Sequence, residues 1–204
     1  MNIVFYRDIN QFLEKSGYDV KERDFVEGEF EVYFNLAKLF DIESFLEVGV
    51  YTGLSACSVM AGSSKLKRYF GFDAQKYIQN SNEIAKERII KFIEANSDIF
   101  PHLRNIEWEI FDVNTFDEKF ICSILGDKKF DWIHIDAGHS EEEAYHDIVF
   151  FWNYVKKYMT VHDIFSINEV YNAIFKVMNN RVLKGLKSNI VVNSSAQGFL
   201  LLAK

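Results

Sequence analysis

Residues Ser44 to Asp73 read SFLEVGVYTGLSACSVMAGSSKLKRYFGFD, and this stretch decides the fold. An apolar run, Phe45-Leu46-Glu47-Val48, ends in Glu47-Val-Gly49-Val-Tyr-Thr-Gly53. A short helix of small residues follows, then a second apolar run closing on Asp73. Strand, glycine turn, helix, strand and acid is the layout of a nucleotide-binding βαβ unit. Parallel strands need such a crossover, and open α/β sheets bind ligands in the loops at the strands' carboxyl ends.

Gly49 and Gly53 let the backbone pass close to a ligand, and the helix that follows presents free N–H groups. The pattern is E-x-G-x-x-x-G, without the three-glycine spacing that seats a dinucleotide pyrophosphate. Asp73 falls about 20 residues past the turn, where an acid accepts hydrogen bonds from ribose hydroxyls. The two features together favour a ribose-bearing ligand.

Working outward, the spacing of Ile9, Phe12 and Leu13, then of Phe30, Tyr33, Phe34 and Ala37, predicts helices over residues 1 to about 40. They are expected to pack on a sheet edge or to lid the pocket. Downstream, Gln75 to Asn96 carries a helical pattern, and Pro101, the only proline, suits a helix stop. Ile106 to Asp112 alternates as a third strand, and Phe116 to Leu125 is helix-compatible. Phe130-Asp-Trp-Ile-His134-Ile-Asp136 is apolar on both faces, as befits the centre of a parallel sheet. Ser140 with Glu143 forms a capping box opening a helix through Val155. Tyr158 to Asp163 is a fifth strand, and a helix over Asn168 to Leu183 follows. Ser188–Val192 and Gly198–Ala203, joined by a short polar connection, read as an antiparallel hairpin. One domain spanning 1–204 is expected, with 1–40 a helical extension and 41–204 the core.

Composition narrows the function. A length of 204 residues, 49% hydrophobic and 26% charged, suits a globular protein that needs no metal or disulfide staple. A net charge of −7 speaks against a nucleic-acid partner, which phosphate neutralisation would require to be basic. Cys57 and Cys122 show no metal or redox spacing. Asp8 and Glu14 interrupt the early apolar residues, so no secretory leader is expected, and no apolar run approaches the roughly 20 residues of a membrane span. A cytoplasmic location is expected.

Four polar residues cluster at the ends of the fourth and fifth strands: Asp136, His139, His162 and Asp163. Two carboxylates plus an imidazole suit a divalent cation, with Asp136, His162 and Asp163 the candidate ligands. Alternatively His139 or His162 serves as a general base without metal. His134, inside a strand, reads as structural, and His102 and His146 as surface or packing residues.

Leu46 to Gly53 with Asp73 resembles motifs I and II of class I S-adenosylmethionine-dependent methyltransferases. Phe130-Asp-Trp-Ile-His-Ile-Asp-Ala-Gly-His-Ser140 and Val161-His-Asp163 resemble the small-molecule group carrying an I-D-G-D-H-S-like segment and a later H-D. The resemblance covers about Phe30 to Lys204. It implies a Rossmann-like, doubly wound, mostly parallel seven-stranded sheet ending in an antiparallel hairpin. It also implies that Glu47, Gly49 and Gly53 line the methionine end of S-adenosylmethionine and that Asp73 holds the ribose. Asp112 and the Val113 amide would meet the adenine, and Asp136 the sulfonium and amino group. Two departures stand out: Gly138 replaces the second carboxylate of the motif, and the turn before the fifth strand is shortened to Lys156-Lys157-Tyr158.

The expected activity is methyl transfer to a small-molecule hydroxyl, with or without a divalent cation such as Mg²⁺. A silent S-adenosylmethionine-binding module, and a metal-dependent oxygenase or hydrolase on the same scaffold, are the alternatives. The expected partner is a small-molecule acceptor, with neither nucleic acid nor membrane; monomer and homodimer both stay open.

Overall fold

The computed structural model describes residues 9–15, 17, 28–192 and 198–204. Two N-terminal helices, α1 (Ile9–Glu14) and α2 (Glu29–Phe40), precede the core. Strands β1 (Ser44–Val48), β2 (Arg68–Asp73), β3 (Glu107–Asp112), β4 (Phe130–Ile135) and β5 (Val155–Val161) then alternate with helices. Those helices are α3 (Leu54–Gly62), α4 (Ser81–Asn96), α5 (Glu118–Leu125) and α6 (Glu141–Trp152), with a 3-10 turn over Pro101–Asn105. Helix α7 (Asn168–Asn179) leads to β6 (Ser188–Val192) and β7 (Phe199–Ala203).

One seven-stranded sheet results, in the order β3-β2-β1-β4-β5-β7-β6. The first five strands run parallel, and β7 pairs antiparallel with both β5 and β6. The doubly wound fold expected from the sequence is therefore present, hairpin included. The loop joining its strands, and residues 1–8, lie outside the described residues. Strand order reverses between β1 and β4, so the loops leaving their carboxyl ends run to opposite sides of the sheet and leave a crevice there.

Side-chain alternation sorts β1 and β4 between two cores. Phe45 and Trp132 face α2 and α3 with Tyr33, Phe34 and Met60, whereas Leu46, Val48, Ile133 and Ile135 face α6 and α7. Burial of each such large side chain contributes roughly 1.5–3 kcal/mol. The same alternation puts Glu47 beside His134 and His134 beside Thr160, a polar line on the α2 side of an otherwise apolar sheet. Helix α2 thus covers this polar line as well as the apolar residues around it.

Several boundaries differ from the sequence reading: helix α6 ends at Trp152, and Val155, read there as its last turn, opens β5, which closes at Val161 rather than Asp163. Helix α4 starts at Ser81 rather than near Gln75, because the Asp73 carboxylate accepts the Gln75 N–H at 2.6 Å and Gln75 and Asn80 turn with positive φ. Helix α7 ends at Asn179 rather than Leu183, where Arg181 adopts φ 50°. The Ser140–Glu143 capping box is present as expected. Among the described residues no helix is long and apolar enough to cross a membrane.

Candidate active site

The crevice at the ends of β1, β2 and β4 is an open cleft whose lining includes Gly49, Asp73, Lys76, Tyr77, Val113 and Asp136. Gly49 has φ 94°, and a Cβ there would lie 2.1 Å from the Asp136 carbonyl oxygen. Only glycine lets the ends of β1 and β4 approach this closely. Gly53, with φ 80°, opens α3 and abuts Ala85 of α4, so it shapes the turn from outside the cleft.

Asp73 has two tasks. Its carboxylate accepts the N–H groups of Val50 (3.0 Å), Tyr51 (2.8 Å) and Gln75 (2.6 Å) while lining the cleft. An ionised carboxylate offers about four lone-pair sites, so three backbone donors leave one toward a ligand. The acid that resembles a ribose holder is therefore also the clasp of the glycine turn.

Other expectations move. Glu47 does not line the cleft: its carboxyl is fully buried on the α2 side and engages the Ser55 hydroxyl and the Tyr69 hydroxyl, the latter at 2.7 Å. Burial pushes its pKa up to about 8. Asp112 points to solvent and accepts from Gln75 Nε2 at 2.5 Å. The Val113 N–H donates to the Asp73 carbonyl at 3.1 Å, because the β2–β3 ladder runs one residue further. Val113 therefore lines the cleft with its side chain, beside Asn114 and Thr115.

Next to the cleft, the ends of β4 and β5 gather charge. Asp136 is partly exposed, and its Oδ1 lies 3.1 Å from Nδ1 of His162. Burial alone would push this carboxyl up; the His162 and His139 rings beside it outweigh that and hold it well below the usual carboxylate range. Asp163 is buried with φ 60°, sparsely populated backbone of the kind found at functional positions. Its Oδ1 accepts from Ser166 Oγ at 2.6 Å, and its Oδ2 faces His139 Nε2 at 3.3 Å.

The two histidines separate by environment. His162 is 4% exposed, and its Nε2 lies 3.2 Å from Glu29 Oε1 of α2. Burial opposes a charged ring, yet Asp136 first, then Asp163 and Glu29, push its pKa up to about 12. The structure thus sets the His162 ring, offered by the sequence as general base or metal ligand, among carboxylates on both sides. His139 instead is about a third exposed and stacks on Tyr77, with ring centroids 5.7 Å apart. Asp136 raises its pKa above the ordinary value, and its Nε2 has no hydrogen-bond partner of good geometry. One donor atom each from Asp136, His139 and Asp163 lies within 4.8 Å of the others, so this set, with His139 in place of His162, can hold a divalent cation. His134 is structural as expected: burial lowers its pKa to about 3, and it bonds Tyr33 (3.0 Å) and Thr160 (2.8 Å).

Gly138, the departure from the carboxylate motif, has a steric cause. A Cβ at 138 would sit 2.2 Å from Cβ of Glu143, whose side chain lines the cleft and pairs with Lys76 at 2.8 Å. Sequence reasoning took Glu143 only as a helix cap, and it missed Glu29, Tyr77 and Lys76. Glu29 carried a signal: an acid four residues before Tyr33, at the edge of an apolar helical face. Tyr77 and Lys76 sit in a polar loop without periodicity and carried none.

Glycine turn, acid-ended second strand and this strand order define the class I methyltransferase fold. Solved structures with it include an O-methyltransferase from Bacillus cereus in complex with S-adenosylhomocysteine (TM-score 0.68, 13% identity, covering 95% of this chain and 91% of that one). The O-methyltransferase TomG from Streptomyces achromogenes, involved in tomaymycin synthesis and in complex with S-adenosylmethionine, matches at TM-score 0.64 and 13% identity, covering 95% and 89%. The S-adenosylhomocysteine-bound methyltransferase PaMTH1 from Podospora anserina matches at TM-score 0.64 and 11% identity, covering 95% and 86%. No curated protein matches the sequence. Residues 46–164, more than half of the chain, match the family model described as a methyltransferase domain, and the chain belongs to that family.

Proposed function

We propose that this protein transfers the methyl group of S-adenosylmethionine to a hydroxyl of a small molecule. The observation that carries the reading is the convergence, at one end of the sheet, of Asp73 in the cleft with Asp136, His139 and Asp163 beside it. The Bacillus and Streptomyces neighbours are O-methyltransferases holding S-adenosylhomocysteine or S-adenosylmethionine, which supports the same cofactor and acceptor atom here.

When bound, S-adenosylmethionine supplies a methyl carbon on a cationic sulfonium, which an acceptor oxygen displaces in line, releasing the neutral thioether. Asp73 accepts from the ribose with its remaining lone pair while keeping the glycine turn closed. Asp136, which lines the cleft, would hold negative charge toward the cationic end of the cofactor, with Asp163 behind it, which would favour the cation. His139 takes the acceptor proton, being the more exposed of the two histidines at the strand ends. Lys76 and Tyr77 reach across the cleft to Glu143 and His139 and limit water there.

A metal-assisted variant is favoured by one observation, the His139 nitrogen aimed unpartnered at Asp163. Asp136, His139 and Asp163 would hold the cation, which would supply acidification of the acceptor hydroxyl. In that case His139 is a ligand and not the base.

The test is incubation with methyl-labelled S-adenosylmethionine and a panel of sugars, phenols and amino-acid derivatives, with Mg²⁺, with Mn²⁺ and with chelator. Label on an acceptor oxygen is expected. Cofactor binding without transfer to any acceptor would point instead to a silent binding module, and transfer to nitrogen would overturn the acceptor class.

A further inference from the structure

We propose that His146 of α6 is a positioning residue for the cofactor, holding from outside the cleft the segment whose Val113, Asn114 and Thr115 wall it. The inference rests on the S-adenosylmethionine reading above. His146 lies in a second groove, with Phe116, Glu118, Glu142 and Tyr145.

The segment runs from the end of β3 at Asp112 to Glu118, the first residue of α5. Within it, Asn114 Oδ1 accepts the Phe116 N–H at 3.0 Å, and the Asn114 carbonyl accepts the Asp117 N–H at 2.9 Å. Asn114 and Phe116 are thereby fixed in one turn. Phe116 is 46% exposed and outside both cores, and its ring stacks on His146 with centroids 4.4 Å apart. Two residues on, Glu118 Oε1 accepts from His146 Nε2 at 3.0 Å. On the helix side, Oδ1 of the fully buried Asp147 accepts from His146 Nδ1 at 3.0 Å. His146 thus meets the segment at two points just past the residues that line the cleft.

Charge strengthens the hold. Ionised carboxylates only accept hydrogen bonds, so with one at each nitrogen the ring donates from both and is positive. A cation is drawn to an aromatic face, here that of Phe116. Asp147 first, then Glu118, raises the pKa of His146 above its ordinary 6.5 against the effect of burial. The other charged groups around the groove are Glu142, which lines it, and Glu143, which acts on Asp147. Lys176 of α7 lies over Tyr145 and pairs with Glu141. The hold is present below the raised pKa and is lost as pH rises through it. A wall fixed before binding spares the ligand the cost of ordering it.

S-adenosylhomocysteine is titrated calorimetrically into the wild type, His146→Ala and His146→Arg from about pH 6 to about pH 9, with circular dichroism to check folding. At the acid end, His146→Ala is expected to weaken binding at least about fivefold, and His146→Arg to stay within about twofold of the wild type. As pH rises, wild-type affinity should fall relative to that of His146→Arg, whose planar guanidinium stacks and donates without titrating. A folded His146→Ala that binds as the wild type does overturns the proposal and leaves the cofactor reading intact. So does a His146→Arg that binds no better than His146→Ala, or one whose pH profile runs parallel to the wild type's. A wild type that binds no S-adenosylhomocysteine defeats the cofactor reading and the proposal with it. Should His146→Ala not fold, Glu118→Gln decides, at a side chain 55% exposed. Removing that charge should move the fall in affinity to lower pH, and an unmoved fall overturns the proposal.

Discussion

Glu47 and Asp73 both end apolar strands, yet they do opposite work because one is sealed and the other is not. Glu47 is fully buried with a pKa pushed up to about 8, so it is neutral in the folded protein below that value. A carboxyl raised by folding contributes its full stabilisation below its ordinary value of 4.5 and loses it as pH rises toward about 8. Unfolding free energy should therefore fall by roughly 5 kcal/mol across that window, and Glu47→Gln should flatten the slope in urea titrations at several pH values. Asp73, by contrast, keeps the glycine turn through three backbone N–H groups, so Asp73→Ala should cost roughly 2 kcal/mol in the same titrations, as well as ligand affinity. His139 supplies a kinetic check. Its pKa lies above the ordinary histidine value, and a base works deprotonated, so kcat should rise with pH through that value. His139→Ala should lower kcat by about 100-fold and erase the pH dependence if His139 is the base.

Close approach governs the elements around the cleft. The ends of β1 and β4 meet only because Gly49 has no side chain, and the loop into α6 closes only because Gly138 has none. Gly49→Ala should cost about 3 kcal/mol or more, combining a positive φ with a clash against backbone that cannot retreat. Gly138→Asp would restore the carboxylate of the resembled motif, yet it should destabilise by about 2 kcal/mol because the space is filled by Glu143, whose Cβ alone would lie 2.2 Å away. Denaturant midpoints read both. The strands and the capped helix were legible because apolar runs and the Ser140–Glu143 pair are local signals. The start of α4 was not, since Ile78 continues a helical period that the Asp73–Gln75 hydrogen bond interrupts. Nor was the burial of His162 against Glu29, which arrives from a helix more than 130 residues away in sequence.

At the scale of the molecule, the parallel sheet supplies a rigid rim, and the family-matched segment supplies every residue proposed to touch the ligand. The extension is not an accessory: α2 covers the polar line of Glu47, His134 and Thr160 and brings Glu29 to the ends of β4 and β5. A fold of this kind serves several chemistries, so the decisive question is what lies over the glycine turn. Calorimetric titration of S-adenosylhomocysteine into the wild type and into Asp73→Ala answers it most directly. One-to-one binding by the wild type, lost or weakened at least about 100-fold in Asp73→Ala, is the predicted result. No heat of binding in the wild type, or equal affinity in a folded Asp73→Ala, would contradict it.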